Sequence, residues 1–274
     1  MKTFAFFFFA LLGVSLASPL SKSFPSKLVI DGTRAAKGQF PYYAYLQFSY
    51  PHREEVTLES CGASILNERY LLTAFHCVNK TIMDDKFIAY FGVVDRDQFP
   101  KAQKIHVVKK FLQVQGDVDD IGLKDIAVLE LESPIKFSED VKPIKLVKDD
   151  SALIPRGGTL AGFGRTIWDD FKSQTQYLLF AQLSFVNKEI CGDGYGGGRF
   201  SDWIFCAGKG LKGSTPGDSG GPLVVENGGE IVQTGISAFG HGAPDKDLYP
   251  SGFTRVSVFC DFIHVSTNKT VSCH

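Results

Sequence analysis

Three short segments constrain this chain more than any other feature: Leu72-Thr73-Ala74-Phe75-His76-Cys77, Asp125-Ile126-Ala127-Val128-Leu129 and Gly217-Asp218-Ser219-Gly220-Gly221-Pro222. Each alone has a plain structural reading. An isolated histidine is most often a satisfied core residue, an aspartate before an apolar run can cap a strand, and a glycine-rich hexapeptide can be a tight turn. In this order in one chain, they supply a base, a carboxylate and a nucleophilic hydroxyl, the parts that amide hydrolysis near neutral pH requires. Asp119 and Asp120 compete for the carboxylate role, but only Asp125 has Ile-Ala-Val-Leu behind it.

Short apolar or alternating runs recur between Gly, Pro, Asn and Asp clusters. They cover residues 43–48, 63–66, 70–73, 87–93, 126–131, 182–186, 222–225 and 231–238, with turns at Asn67-Glu68 and Asn227-Gly228-Gly229. This pattern predicts an all-β chain. Helical spacing is convincing only from Val256 to about Val265, where Val258, Phe259, Phe262 and Ile263 recur. The basic cluster from Lys101 to Lys110 alternates with apolar residues and reads as the solvated face of a strand.

Lys and Arg total 29 against 30 Asp and Glu, so no basic excess exists to neutralise phosphates, and nucleic acid is not an expected partner. The basic start Met1-Lys2, the apolar middle and the small-residue exit at Ser15-Leu16-Ala17 predict a secretory leader over residues 1–17. Its apolar run, roughly a dozen residues, is shorter than the ~20 needed to span a bilayer, so a soluble secreted protein without a membrane partner is expected. Six cysteines in an oxidising compartment imply three disulfides, and spacing alone allows fifteen pairings. No CxxC pair suggests zinc, and no acidic loop has calcium-ligand spacing, so neither metal nor cofactor is expected.

The three segments resemble those of the chymotrypsin-like (trypsin-fold) secreted serine protease family, and the resemblance covers nearly everything after about residue 28. It implies two packed six-stranded antiparallel β-barrels with a C-terminal α-helix, the barrels meeting near residues 141–150. By the same resemblance Ser219 attacks the carbonyl, His76 takes and returns the proton, and Asp125 fixes the imidazole. Backbone N–H groups of Gly217 and Ser219 would form the oxyanion hole, with glycine at 217 because the peptide must adopt a conformation costly for a residue with a Cβ. The resemblance also pairs Cys61 with Cys77 and Cys191 with Cys206. That leaves Cys260 and Cys273 to each other, a bridge outside the usual family pattern.

Further expectations follow from the resemblance. Val29-Ile30-Asp31-Gly32 falls on the activation tetrapeptide, so residues 18–28 read as a propeptide, residues 29–274 as the protease domain and the precursor as a zymogen. The new ammonium of Val29 would pair with Asp218. The scissile bond after Leu28 departs from the usual basic residue, and the alternative is a cut after Lys27. The pocket floor falls on Gly213, with Ser214, Gly240 and Ser251 along the walls. A roomy pocket without a carboxylate implies large apolar or aromatic substrate side chains, because a buried Lys or Arg needs a countercharge.

Two departures accompany this pocket. Thr215 stands where the family usually has a rim cysteine, and Ala238 replaces the serine that ordinarily bonds the triad aspartate. Substrates would be proteins or peptides, protein protease inhibitors are expected partners, and the molecule is expected to be a monomer. Asn79-Lys80-Thr81 and Asn268-Lys269-Thr270 are candidate glycan acceptors. The rival reading is an inactive secreted homologue that binds or regulates, but such homologues usually lose the serine or histidine, and both are present.

Overall fold

The computed structural model describes residues 32–52, 55–79, 87–113, 124–168, 170–196, 200–208, 212–240 and 249–274. The expected leader, the propeptide, Val29, Asp119 and Asp120 lie outside the described residues.

Strands dominate, as the alternating runs predict. After β1 (Thr33–Arg34), six strands close on themselves: β2 (Tyr43–His52), β3 (Glu55–Ile65), β4 (Tyr70–Thr73), β5 (Ile88–Phe91), β6 (Gln103–Leu112) and β7 (Ala127–Leu131). They close in the order β2-β3-β4-β7-β6-β5. Side chains alternate across a strand, and on β2 both faces are buried. Ala44, Leu46 and Phe48 fill the barrel with Leu71, Leu72 and Leu129. Tyr43 and Tyr45 point the other way, onto Phe163 and Leu178 of the second half of the chain. The near-continuous apolar reading of β2 therefore reflects its place at the junction of two cores. On β6, Ile105 and Val107 are buried while Lys104 and Lys109 are exposed, which gives the basic cluster its alternation.

The second sheet contains β8 (Lys145–Leu146), β9 (Gly158–Gly162), β10 (Leu179–Leu183), β11 (Phe185–Val186), β12 (Ile204–Ala207), β13 (Pro222–Asn227), β14 (Glu230–Phe239) and β15 (Ser251–Arg255), together with β1. Its main path runs β10-β9-β13-β14-β15-β12. Only Ser184 separates β10 from β11, and β11 pairs with β12 at the far end of that path. The chain itself thus joins the two ends of the curled sheet around Leu160, Leu179, Leu183, Phe205, Leu223 and Phe253. Gly228 and Gly229, at φ 62° and 89°, make the tight β13–β14 turn that the sequence anticipates.

The predicted terminal helix begins as a 3-10 turn over Val256–Phe259 and becomes α-helical over Cys260–Ser266. Phe259 and Ile263, one turn apart, face the core, whereas Val258 is 48% exposed, so the apolar stripe is narrower than the sequence suggests. A second helix, Lys188–Gly194, corrects the expectation of a single one. Its signal is the N-cap: Asn187 Oδ1 accepts from the Ile190 amide at 2.9 Å. With seven residues it has too few apolar positions to show a period.

Disulfides join Cys61 to Cys77, Cys191 to Cys206 and Cys260 to Cys273, the pairing that the resemblance implied together with its unusual third bridge. No described helix is long and apolar enough to cross a membrane.

Candidate active site

The closed barrel and the curled nine-stranded sheet, a half-barrel where the resemblance implied a second six-stranded barrel, touch through hydrogen bonds that set the site. Ser64 Oγ on β3 donates to Gln233 Oε1 on β14 at 2.6 Å, both fully buried, and the Gly62 amide donates to Ser219 O at 2.7 Å. From β15, Thr254 Oγ1 donates to the backbone carbonyl of Asp125 at 3.0 Å. Buried polar groups left unpaired are costly, so these bonds fix how the barrel sits on the sheet.

His76 lies on a single 3-10 turn, Phe75–Cys77, that follows β4 and is stapled to β3 through the Cys61–Cys77 bridge. Asp125 sits just before β7, its side chain 8% exposed against 37% for His76. The His76 amide donates to Asp125 Oδ1 at 2.8 Å, and Nδ1 lies 2.7 Å from Asp125 Oδ2. An ionised carboxylate only accepts, so Nδ1 carries the proton and Nε2 keeps its lone pair. Among the described residues His76 supplies both bonds to this carboxylate. Ala238 offers no hydroxyl, and it falls where the pairing of β14 with β15 shifts register between Ser237 and Phe239. Ser237 contributes its backbone instead, accepting from the Gly220 amide at 2.8 Å and donating to Gly221 O at 2.9 Å.

Ser219 stands half-buried on the turn before β13. Gly217 takes φ 102° and Gly220 φ 76°, conformations open to glycine and strained for other residues. A methyl on Gly220 would overlap Thr73 Oγ1 and lie 3.1 Å from the Ala74 amide nitrogen. The serine turn therefore packs against the segment that leads into His76, and the fold brings together three elements widely separated in sequence.

Asp218 is 1% exposed. Oδ1 accepts from the Gly164 amide at 2.8 Å, and Oδ2 meets the Thr215 amide at 2.9 Å and the Thr215 hydroxyl at 3.0 Å. Burial pushes its carboxyl up to about 6 despite those bonds, and no ion pair reaches it among the described residues. Burial also holds the neighbouring Tyr43 hydroxyl well above its ordinary value, with the Asp218 charge adding to the effect.

The candidate pocket residues also converge. Ser251 Oγ accepts from the Ser214 amide at 2.8 Å, and Ser214 Oγ lies 3.5 Å from Phe239 O across the gap. Gly213 is buried beside them, and none of the four candidates carries a charge. A methyl on Gly240 would lie 3.0 Å from Ser214 O and 3.4 Å from Cη2 of Trp168, an indole that no sequence pattern places there. Phe239 stacks on Phe200 at 5.6 Å and meets Tyr195 edge-on at 5.1 Å, its ring directly over the Cα of Gly252. Alanine at Gly252 is expected to lower stability by about 1–3 kcal/mol, as overpacking does, read as a drop in thermal midpoint.

Cys61, His76 and Cys77 form the one group with metal-like spacing among the described residues, and both sulfurs are consumed in the disulfide. Both sequon asparagines, Asn79 and Asn268, are exposed, and Asn268 also donates its amide to the Tyr70 hydroxyl at 2.8 Å.

Comparison with known proteins shows the family. The family model described as Trypsin matches residues 29–263. A trypsin of Phaedon cochleariae is 29% identical over 270 residues, 94% of this chain and 96% of the relative. Trypsin-1 of Astacus astacus is 29% identical over 246 residues, 86% of this chain and 98% of the relative.

Proposed function

This chain belongs to the trypsin family of serine proteases, and on that premise we propose that it is a secreted serine endopeptidase, made as a zymogen, that cleaves after large apolar or aromatic residues. The observation that carries the reading is the carboxylate–imidazole pair, Asp125 Oδ2 to His76 Nδ1 at 2.7 Å, beside the turn that presents Ser219. With Nδ1 holding a proton for the carboxylate, Nε2 is the base that takes the proton of Ser219 as its Oγ attacks the substrate carbonyl. The tetrahedral oxyanion is received by the amides of Gly217 and Ser219. The imidazolium then protonates the leaving amine, and water repeats the sequence on the acyl-enzyme.

Activation follows from Asp218. A buried carboxylate favours a cationic partner, and in this proposal cleavage after Leu28 supplies it as the ammonium of Val29. Secretion rests on the leader sequence and fits the three disulfides. Monomeric protein, susceptibility to protein inhibitors and a glycan on Asn79 belong to the same proposal. The bond from Asn268 to Tyr70 makes that second sequon the poorer acceptor.

Specificity rests on Gly213, Ser214, Gly240 and Ser251. A guanidinium entering this lining would be stripped of water without a countercharge, a penalty of several kcal/mol. The test pairs two peptides that differ only in Phe or Arg before the scissile bond, using protein whose N-terminus is Val29. The expected preference for Phe in kcat/KM is about 100-fold or more. Faster cleavage after Arg overturns the pocket assignment.

A further inference from the structure

We propose that Thr215 is a positioning residue for the oxyanion loop, its hydroxyl tying Asp218 to the backbone of Arg165 at the place where the family pattern has a disulfide. The inference rests on the protease reading above and assigns a role to a residue that the triad does not include.

Thr215 is 3% exposed, and its Oγ1 lies 2.9 Å from Arg165 O and 3.0 Å from Asp218 Oδ2. A hydroxyl has one proton and free lone pairs, whereas the Arg165 carbonyl can only accept. With Asp218 neutral, the carboxyl proton goes to Thr215 Oγ1 and the threonine proton goes to Arg165 O, so all three groups are satisfied. With Asp218 ionised beside an ammonium, the one threonine proton is shared between Arg165 O at 2.9 Å and Oδ2 at 3.0 Å, so the tie is kept. The same side chain thus serves the buried carboxyl in both charge states. A disulfide sulfur has no proton to give, so this exchange belongs to the Thr215 chain alone.

The neighbouring bonds show what the tie holds. Arg165 donates its amide to Pro216 O at 2.9 Å, Gly164 donates to Asp218 Oδ1 at 2.8 Å, and a methyl on Gly217 would lie 3.1 Å from the Gly164 Cα. A methyl on Gly164 would overlap both Thr215 Oγ1 and the Asp218 carboxyl. Residues 215–218 therefore lie flush on residues 164–165. The Thr215 hydroxyl is a second side-chain tie in that contact, beside the bond from Gly164 to Asp218, and it fixes where the Gly217 amide points.

The test compares Thr215→Val, which keeps the shape and removes the hydroxyl, with Thr215→Ser, which restores it, both with the N-terminus at Val29. Turnover is counted per Ser219 labelled by a serine-directed phosphonate, so that misfolded chains do not enter. Valine is expected to lower kcat about 10–100-fold, the loss of a hydrogen bond to a charged group, with KM changed less than about 3-fold and serine recovering most of kcat. Amide exchange of peptides covering 163–166 and 214–221 is expected to quicken in the valine variant and return to normal with serine. Valine equal to wild type in both readouts, or serine failing as badly as valine, overturns the proposal. Should wild type turn over no peptide, the protease reading fails, and the exchange comparison still decides the role of Thr215. If the valine variant does not accumulate, Thr215→Cys against Thr215→Ser makes the same comparison with a weak donor of similar size.

Discussion

Replacing Ser219 by alanine lowers kcat by about 10⁵-fold or more, and His76→Ala does the same, while the double variant falls little further. The two act as one unit: without the base the hydroxyl stays a poor nucleophile, and without the hydroxyl the base has no proton to move. Asp125→Asn loses less, roughly 10⁴-fold, because an amide can donate to Nδ1 and drive the proton to Nε2, the wrong tautomer for a base. The 2.8 Å bond from the His76 amide to Asp125 Oδ1 adds a structural role to the carboxylate. Steady-state kinetics on one chromogenic peptide checks the whole series. Additive losses, with the double variant far below either single one, would contradict a shared mechanism.

The second large effect concerns Asp218 and changes sign on activation. In the uncut precursor the amine of Val29 is part of a peptide bond, and the buried carboxyl titrates near 6 against 3.8 for an ordinary aspartate. Between those values the folded state holds a proton that the unfolded chain has released. The contribution of Asp218 is therefore fully present below about pH 4, is lost as pH rises through about 6, and amounts to about 3 kcal/mol in all. The precursor should show a falling thermal midpoint across that window, and Asp218→Asn should flatten it. Once the Val29 ammonium is paired, the carboxylate is the favoured form, and the slope disappears or reverses. In the activated enzyme Asp218→Ala should lower kcat/KM by about 10²–10³-fold, since an ammonium left without its partner is costly to bury. A precursor and mature protein with the same pH profile would show that the two groups do not meet.

The segments proposed to carry the chemistry stand out in the sequence because each packs several constraints into a few adjacent residues. Gly220 must be glycine to clear Thr73, Cys77 must follow His76 to staple its turn, and Ile126 through Leu129 must be apolar to bury the strand behind Asp125. The alternation of β6 and the Asn227-Gly228-Gly229 turn were readable for the same local reason. Thr254, Trp168 and the Thr215 hydroxyl were not. Each acts on a partner at least 50 residues away, or packs across a gap, and a lone polar or aromatic side chain has no period to reveal its target. The helix over Lys188–Gly194 escaped because its evidence lies in one N-cap.

The most direct test of the account is reaction with a phosphonate that has an aromatic group before the reactive centre, followed by mass mapping of the adduct, on protein before and after its N-terminus is cut to Val29. One adduct per molecule is expected, on Ser219, formed much faster after the cut and absent in His76→Ala. No labelling of correctly processed, folded protein, or equal labelling of the His76→Ala variant, would contradict an activated Ser219 and leave a protease homologue that binds without cleaving.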